Sequence, residues 1–103
     1  MTYAVTLTRE ALEDLRRLED FLVEAALQYG DLELPQRAMA EIESQLRILR
    51  TNPFTCRIAA DRPYERELVI PFGGSGYVAL FEVVSDHEVV VTALRHQRED
   101  DYH

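Results

Sequence analysis

Apolar residues in the first third of the chain are spaced first as in a strand and then as in a helix. Residues 2–7 alternate between apolar and polar side chains, which predicts a short, half-buried β-strand. Residues 9–29 carry apolar side chains three or four positions apart, which predicts an amphipathic helix. Thr8 suits the N-cap of this helix, and Gly30 suits a left-handed C-terminal stop. The predicted buried stripe is Leu12, Leu15, Leu18, Leu22, Ala25, Ala26 and Tyr29.

A second amphipathic stripe follows a short linker. Pro35 suits the first turn of a helix, and Pro53 prevents the helix from continuing. The predicted stripe is Ala38, Met39, Ile42, Leu46 and Leu49. Two amphipathic helices with a short connection are typical of an antiparallel hairpin, and their joint apolar face needs a partner to cover it.

The second half of the chain contains apolar runs separated by turn residues, which indicates strands. Residues 54–64 are irregular and are predicted to form a loop. Residues 65–70 alternate, and the Gly-rich residues 71–76 are predicted to form a flexible hairpin loop. Residues 76–84 are almost continuously apolar, which predicts a central strand covered on both faces. After a polar turn, residues 89–94 are predicted to form the last strand.

This order of elements predicts an α+β fold: an N-terminal strand, a helical hairpin, and a three-stranded antiparallel meander. The helical hairpin is expected to lie on one face of the sheet. If it carries the chain back over the sheet, the first strand lies parallel to a strand of the meander. A chain of 103 residues is expected to form one domain, spanning residues 1–103.

Charge and cysteine content narrow the classes of function. The chain has 11 basic residues, all arginine, against 19 acidic residues, for a net charge of −8 at pH 7. Broad nucleic-acid binding relies on many cations neutralising phosphates, so this balance argues against it. The single cysteine excludes an internal disulfide or a cysteine-based zinc cluster. Without a long apolar run or a signal-peptide pattern, we expect a cytoplasmic protein that does not interact with a membrane.

A cluster of titratable residues lies where the last predicted strand ends. It consists of Arg95, His96, Gln97, Arg98, Glu99, Asp100, Asp101 and Tyr102. Functional sites are common where a rigid scaffold gives way to an irregular segment. A structural role is the alternative for each group: His96 as a hydrogen-bonded residue, and the acidic run as a solvated tail. His96 and Glu99 can be combined with Asp100 and His103 into a metal site, but such a loose terminal cluster is weak support, so no metal or cofactor is predicted.

Arg66 is the other candidate cation, at the start of the second predicted strand. It has two alternative roles: a functional group, or an ion-pair partner of Glu82 on the adjacent strand.

Several motifs in the same order resemble the ParE/RelE toxin superfamily of bacterial type II toxin–antitoxin modules, also called plasmid stabilisation proteins. They are Asn-Pro-Phe at 52–54, Arg66, Tyr-Val-Ala-Leu-Phe-Glu-Val at 77–83, and Leu-Arg-His-Gln-Arg-Glu at 94–99. The resemblance covers nearly the whole chain. It implies a RelE/ParE-like fold and a cognate, ParD-like antitoxin whose C-terminal segment wraps around the toxin as helix and strand.

The resemblance implies one of two activities that cause growth arrest. ParE-like members inhibit DNA gyrase by binding, and the implied target-binding residues are Arg95, His96, Arg98 and Tyr102. RelE-like members cleave mRNA on the ribosome, and the implied catalytic set is Arg66, His96, Arg98 and Tyr102. A fold shared by both branches does not decide between them.

The acidic character of this chain favours the ParE-like branch. Glu99, Asp100 and Asp101 directly follow the candidate cations and would repel an RNA backbone. The absence of lysine and the net charge of −8 also disfavour docking on a ribosome. The endoribonuclease remains the alternative, as does a non-toxic antitoxin-binding relic.

Overall fold

The computed structural model describes residues 2–99. In chain order its elements are β1 (Ala4–Leu7), α1 (Arg9–Tyr29), α2 (Leu34–Leu46), two short 3₁₀ segments (Arg47–Arg50 and Pro53–Thr55), β2 (Arg57–Ala59), β3 (Arg62–Phe72), β4 (Ser75–Ser85) and β5 (Glu88–His96). One sheet has the strand order β1-β5-β4-β3-β2, with β1 parallel to β5 and the other pairs antiparallel. The predicted α+β class and the parallel placement of the first strand are confirmed.

The meander has four strands rather than the predicted three. The additional strand, β2, lies within residues 54–64, which the sequence predicted as a loop. It is only three residues long and its register with β3 shifts after Ile58, so it leaves no periodic apolar pattern. Because β2 pairs with the first part of β3, β3 begins at Arg62, earlier than the alternation of residues 65–70 predicts.

The β3–β4 hairpin is tighter than the predicted Gly-rich loop. Phe72 pairs directly with Ser75, which leaves a two-residue turn. Gly73 has a φ of 59°, and a positive φ at the first turn position is what a type II′ hairpin requires. Gly76 is needed for a different reason, because a Cβ there would collide with the carbonyl oxygen of Ile70. The tight turn brings the start of β4 beside the end of β5, where the candidate residues lie.

Helix α1 begins and ends as predicted, but its buried face is shifted. The Thr8 hydroxyl accepts the Ala11 backbone N–H at 3.1 Å, and Gly30 adopts a φ of 79°. Ala11 is fully buried, whereas the predicted core residues Leu12 and Tyr29 are 54% and 77% exposed. Successive helical residues are about 100° apart, so burying Ala11 turns Leu12 outward. Tyr29 is the last residue of the helix.

The second apolar stripe is confirmed, although α2 ends before the stripe does. Ala38, Ile42, Leu46 and Leu49 are buried. The α-helix stops at Leu46 and a 3₁₀ segment continues to Arg50. Because a 3₁₀ helix repeats every three residues, Leu49 stays on the same face as Leu46.

Both faces of β4 are buried, as predicted for a central strand. On the helix-covered face, Phe81 and Ala79 join the main core. On the opposite face, Leu80 forms a second buried cluster with Ala59 and Ala93. None of the described helices covers this second face. Instead, long side chains of β3 and β5 that point to this face lie beside the cluster.

Candidate functional site

Past the residues that pair with β1, backbone groups on the outer edge of β5 are hydrogen-bonded by helix α1 and its N-cap residue, Thr8. Thr8 donates its backbone N–H to the carbonyl oxygen of Val91 at 2.9 Å. The Thr8 hydroxyl also lies 3.3 Å from the carbonyl oxygen of Thr92. Leu94 donates its N–H to Asp14 Oδ2 at 3.0 Å. These bonds pair edge groups that would otherwise be open, and they fix the end of β5 against α1.

Arg17 joins α1 to the segment that follows β5. Its Nη1 lies 3.2 Å from Glu99 Oε1, and its Nη2 lies 3.9 Å from Asp14 Oδ1. Glu99 Oε1 also accepts the His96 backbone N–H at 3.2 Å. A partly exposed ion pair alone contributes about 0–1 kcal/mol. Here, however, each carboxylate also accepts a β5 backbone N–H, so the network restrains the end of the strand.

His96 lies on the helix-covered face, edge-on to Tyr77 with 5.7 Å between ring centroids. Its Nδ1 accepts the Arg98 backbone N–H at 3.2 Å, and its Nε2 lies 3.1 Å from Ser75 Oγ. In the neutral ring these contacts fit the tautomer protonated on Nε2, which donates to Ser75, because Nδ1 accepts a backbone N–H. Burial raises the pKa of Tyr77 above its usual value of 10.0.

A cavity of about 650 Å³ opens between α1, the β3–β4 turn and the segment after β5. We call it the α1 groove. Its apolar walls are formed by Leu18, Phe21, Leu22, Phe72 and Tyr77, and its polar end by Ser75, His96, Arg98 and Glu99. Phe21, at its rim, is 67% exposed. A groove of this kind can accept apolar side chains of a partner and fix their orientation at the polar end.

Arg95 points to the opposite face of the sheet from His96, as alternation along a strand requires. Its Nη1 donates to the carbonyl oxygens of His96 and Gln97, each at 3.3 Å, and of Glu99 at 2.7 Å. The side chain is 13% exposed. Arg98, by contrast, is exposed and forms no ion pair within residues 2–99. Of the predicted cations in this segment, Arg98 is thus the more accessible.

Arg66 anchors the loop that precedes β2. Its Nη1 donates to the carbonyl oxygens of Phe54 at 3.3 Å and Cys56 at 2.8 Å, and the guanidinium lies 5.2 Å from the centre of the Phe54 ring. The alternative ion pair with Glu82 is wrong. Arg66 is paired with Phe81, so Glu82, the next residue along β4, points to the other face.

The residues implied for mRNA cleavage are only partly brought together. His96 and Arg98 are adjacent in one hydrogen-bonded turn. The β4 partner of Arg66 lies four residues beyond the β4 partner of His96, which corresponds to about 13 Å of strand. Tyr102 lies outside the described residues. Within residues 2–99, therefore, Arg66 stands apart from His96 and Arg98.

Sequence reasoning missed Ser75, Asp14 and Arg17. Ser75 lies within residues 71–76, which the sequence predicts as a flexible loop, and Asp14 and Arg17 lie outside the predicted apolar stripe of α1. No local signal marks these residues, because their roles depend on which groups of β5 and of the segment after it the fold brings beside them.

Two other classes of site find no support in the described part of the chain. Among residues 2–99, no group of three or more His, Cys, Asp or Glu side chains is placed to hold a metal ion. Asp100 and His103, which the sequence-based metal hypothesis needs, lie outside these residues. Burial raises the pKa of the Cys56 thiol above 9.0, which disfavours the nucleophilic thiolate.

None of the described helices is long and apolar enough to cross a membrane.

Comparison with known proteins identifies the family. No match is found among curated proteins. The fold is similar to a solved structure, "Chromosomal ParDE TA system from P. aeruginosa", with a TM-score of 0.75, 20% identity, and coverage of 92% of this chain and 96% of that one. Residues 5–101 match the family described as "ParE toxin of type II toxin-antitoxin system, parDE". Because this match spans nearly the whole chain, the chain belongs to the ParE toxin family of type II toxin–antitoxin systems.

Proposed function

We propose that the protein is a toxin that inhibits DNA gyrase by binding, in the cytoplasm, and that a cognate ParD-like antitoxin neutralises it. The target-binding residues are Arg95, His96, Arg98 and Tyr102, of which Arg98 makes the principal contact and Arg95 shapes the segment. The observation that carries this proposal is the turn after β5, which is bonded to both faces of the sheet and leaves the Arg98 side chain exposed.

The same geometry argues against the endoribonuclease alternative. RNA cleavage by a 2′-hydroxyl requires a base, a group that stabilises the phosphorane charge and an acid for the leaving group, all converging on one phosphate. Both ring nitrogens of His96 are engaged within the chain, and the guanidinium of Arg66 is held by the loop before β2. These contacts favour a binding role for the segment.

The antitoxin is proposed to cover the α1 groove and the apolar surface beside it. Phe21 at the rim, Leu27 and Tyr29 near the end of α1, and Leu32 in the following connection are all more than 60% exposed. Phe21 lines the groove, and the other three follow it along the end of α1 and the connection, where a partner that extends past the groove would cover them. Because the chain has a net charge of −8, the antitoxin segment is expected to carry basic residues around its apolar ones.

Induced expression of the chain alone tests the function. We expect growth arrest with loss of DNA supercoiling and intact mRNA, and relief when the antitoxin is co-expressed. Phe21→Ser provides a matched variant: it should remain toxic but escape the antitoxin, because it alters the groove rim and leaves the turn after β5 unchanged. Arrest with transcripts cut at ribosome-occupied codons would instead establish the endoribonuclease. Absence of arrest from a folded protein would identify a non-toxic antitoxin-binding module.

A further inference from the structure

Glu67 and Arg95 meet across the sheet face that the described helices leave uncovered. Glu67 is paired with Leu80 on β4, and Arg95 is paired with Val78 on the same strand, so β4 lies between the two. Their side chains nevertheless reach each other: Arg95 Nη2 lies 3.8 Å from Glu67 Oε2. The two side chains are only 13% and 11% exposed. An ion pair with so little exposure is screened by solvent far less than the surface pairs on α1.

Glu67 is itself held in place from the other side. Its Oε1 lies 2.9 Å from Arg57 Nε on β2, the strand with which it is paired. The carboxylate thus bridges two arginines, one on the edge strand β2 and one at the end of β5. Arg57, on a neighbouring strand of the sheet, thus helps to fix its position.

Arg95 links Glu67 to the segment after β5. While Nη2 faces Glu67, Nη1 donates to the carbonyl oxygens of His96, Gln97 and Glu99. The rigid planar fork of arginine can bind a carboxylate and backbone carbonyls at the same time, which the single ammonium of lysine cannot do in the same geometry. Three carbonyls directed at one guanidinium define a turn, and Arg98 lies within that turn.

We propose that Glu67, on β3, is a positioning residue for target binding: through Arg95 it holds residues 96–99 in the turn that presents Arg98. The inference rests on the proposed function, because it assumes that this segment contacts the target. Glu67 does not touch the target itself. Its loss takes this carboxylate away from Arg95 and loosens the turn, and a segment that is less ordered before binding binds more weakly because the cost of ordering it is met on binding.

Glu67→Gln is the test variant, because it keeps the size of the side chain and removes the charge. Glu65→Gln is the matched control, since Glu65 is also on β3 and forms a partly exposed ion pair with Arg62 on its own strand. We expect Glu67→Gln to weaken inhibition of gyrase supercoiling roughly tenfold or more and the control to inhibit like the wild type. Both variants should keep the core amides of β4 as protected from hydrogen exchange as in the wild type, which a general loss of folding would not allow.

A double-mutant cycle with Arg98→Ala separates positioning from a structural effect. If Glu67 acts by presenting Arg98, the double variant should inhibit gyrase no more weakly than Arg98→Ala alone. Additive losses of inhibition, or wild-type inhibition by Glu67→Gln, would overturn the proposal.

Amide hydrogen exchange provides a readout that does not depend on the target. The Gln97 N–H is bonded to the Gly76 carbonyl at 2.8 Å, and the Glu99 N–H to the His96 carbonyl at 3.0 Å. In Glu67→Gln, exchange should accelerate at these two amides relative to core amides of β4. If the wild type does not inhibit gyrase, the proposed function is wrong, but the exchange measurement still tests whether Glu67 holds the segment. Unchanged exchange at both amides would show that Glu67 does not hold it and would overturn the inference.

Discussion

Two arginines on opposite faces of the sheet bind backbone carbonyls, and they differ in what supports them. Arg66 binds the carbonyls of residues 54 and 56 and lies against an aromatic ring, with no carboxylate among its contacts within residues 2–99. Arg95 binds the carbonyls of residues 96, 97 and 99 and also faces Glu67 in a setting with little solvent. Each arginine shapes the loop whose carbonyls it binds, and a carboxylate partner makes that hold firmer in the case of Arg95.

The largest expected effect follows from removing Arg95, which supports the segment after β5. Arg95→Ala removes one partner of a mostly buried ion pair together with the donor to three carbonyls. We expect a loss of about 3 kcal/mol in the free energy of unfolding, because three carbonyls lose their donor and Glu67 loses one of its arginine contacts in a setting with little solvent. Urea denaturation would measure it. Arg95→Met with Glu67→Gln should restore part of the loss, and a double variant less stable than Arg95→Ala would contradict the assignment.

Gly76→Ala is expected to be the next most damaging change, because it forces β4 away from the end of β3 and from Gln97, whose N–H is bonded to the Gly76 carbonyl. A Cβ would collide with the carbonyl oxygen of Ile70, and overpacking of this kind costs about 1–3 kcal/mol. Gly74→Ala is the control, since nothing lies within 4 Å of its Cβ position. Similar melting temperatures for the two variants would contradict the cost expected from this collision.

Arg66→Gln should have a smaller effect on stability and none on the target. Its hydrogen bonds go to neutral carbonyls on a partly exposed loop, so we expect a loss of about 1 kcal/mol in the free energy of unfolding. Thermal unfolding and a supercoiling assay would measure the two effects. A loss as large as that of Arg95→Ala would remove the contrast between the two arginines.

The smallest expected effects are on the pH dependence of stability. Two groups, one beside His96 and one beside Arg66, have a raised pKa. Burial raises the pKa of Tyr77, beside His96, above 10.0, and that of Cys56, beside Arg66, above 9.0. Each group releases its proton more readily in the unfolded chain, so its contribution is complete below these values and is lost as pH rises through the folded pKa. Tyr77→Phe should flatten the decline of stability above about pH 10, and Cys56→Ala the decline above about pH 9. Unchanged pH profiles would contradict both assignments.

Local sequence patterns predicted the helices, the long strands and the location of the polar segment. Thr8 and Gly30 at the ends of α1 are local signals, and so is the apolar run of β4. The three-residue strand β2 carries no such signal, because its formation depends on pairing with β3. The roles of Asp14 and Glu67 were also inaccessible, since each depends on which β5 backbone or side-chain group the tertiary fold brings beside it.

The central claim is that the segment after β5, and not the region of Arg66, contacts the target. The most direct measurement compares the wild type, Arg98→Ala and Arg66→Gln in a gyrase supercoiling assay with purified full-length chain. We predict inhibition by the wild type and by Arg66→Gln, and a loss of about tenfold or more in Arg98→Ala, because exposed arginines at binding surfaces often dominate affinity. Inhibition that survives in Arg98→Ala but disappears in Arg66→Gln would contradict the account.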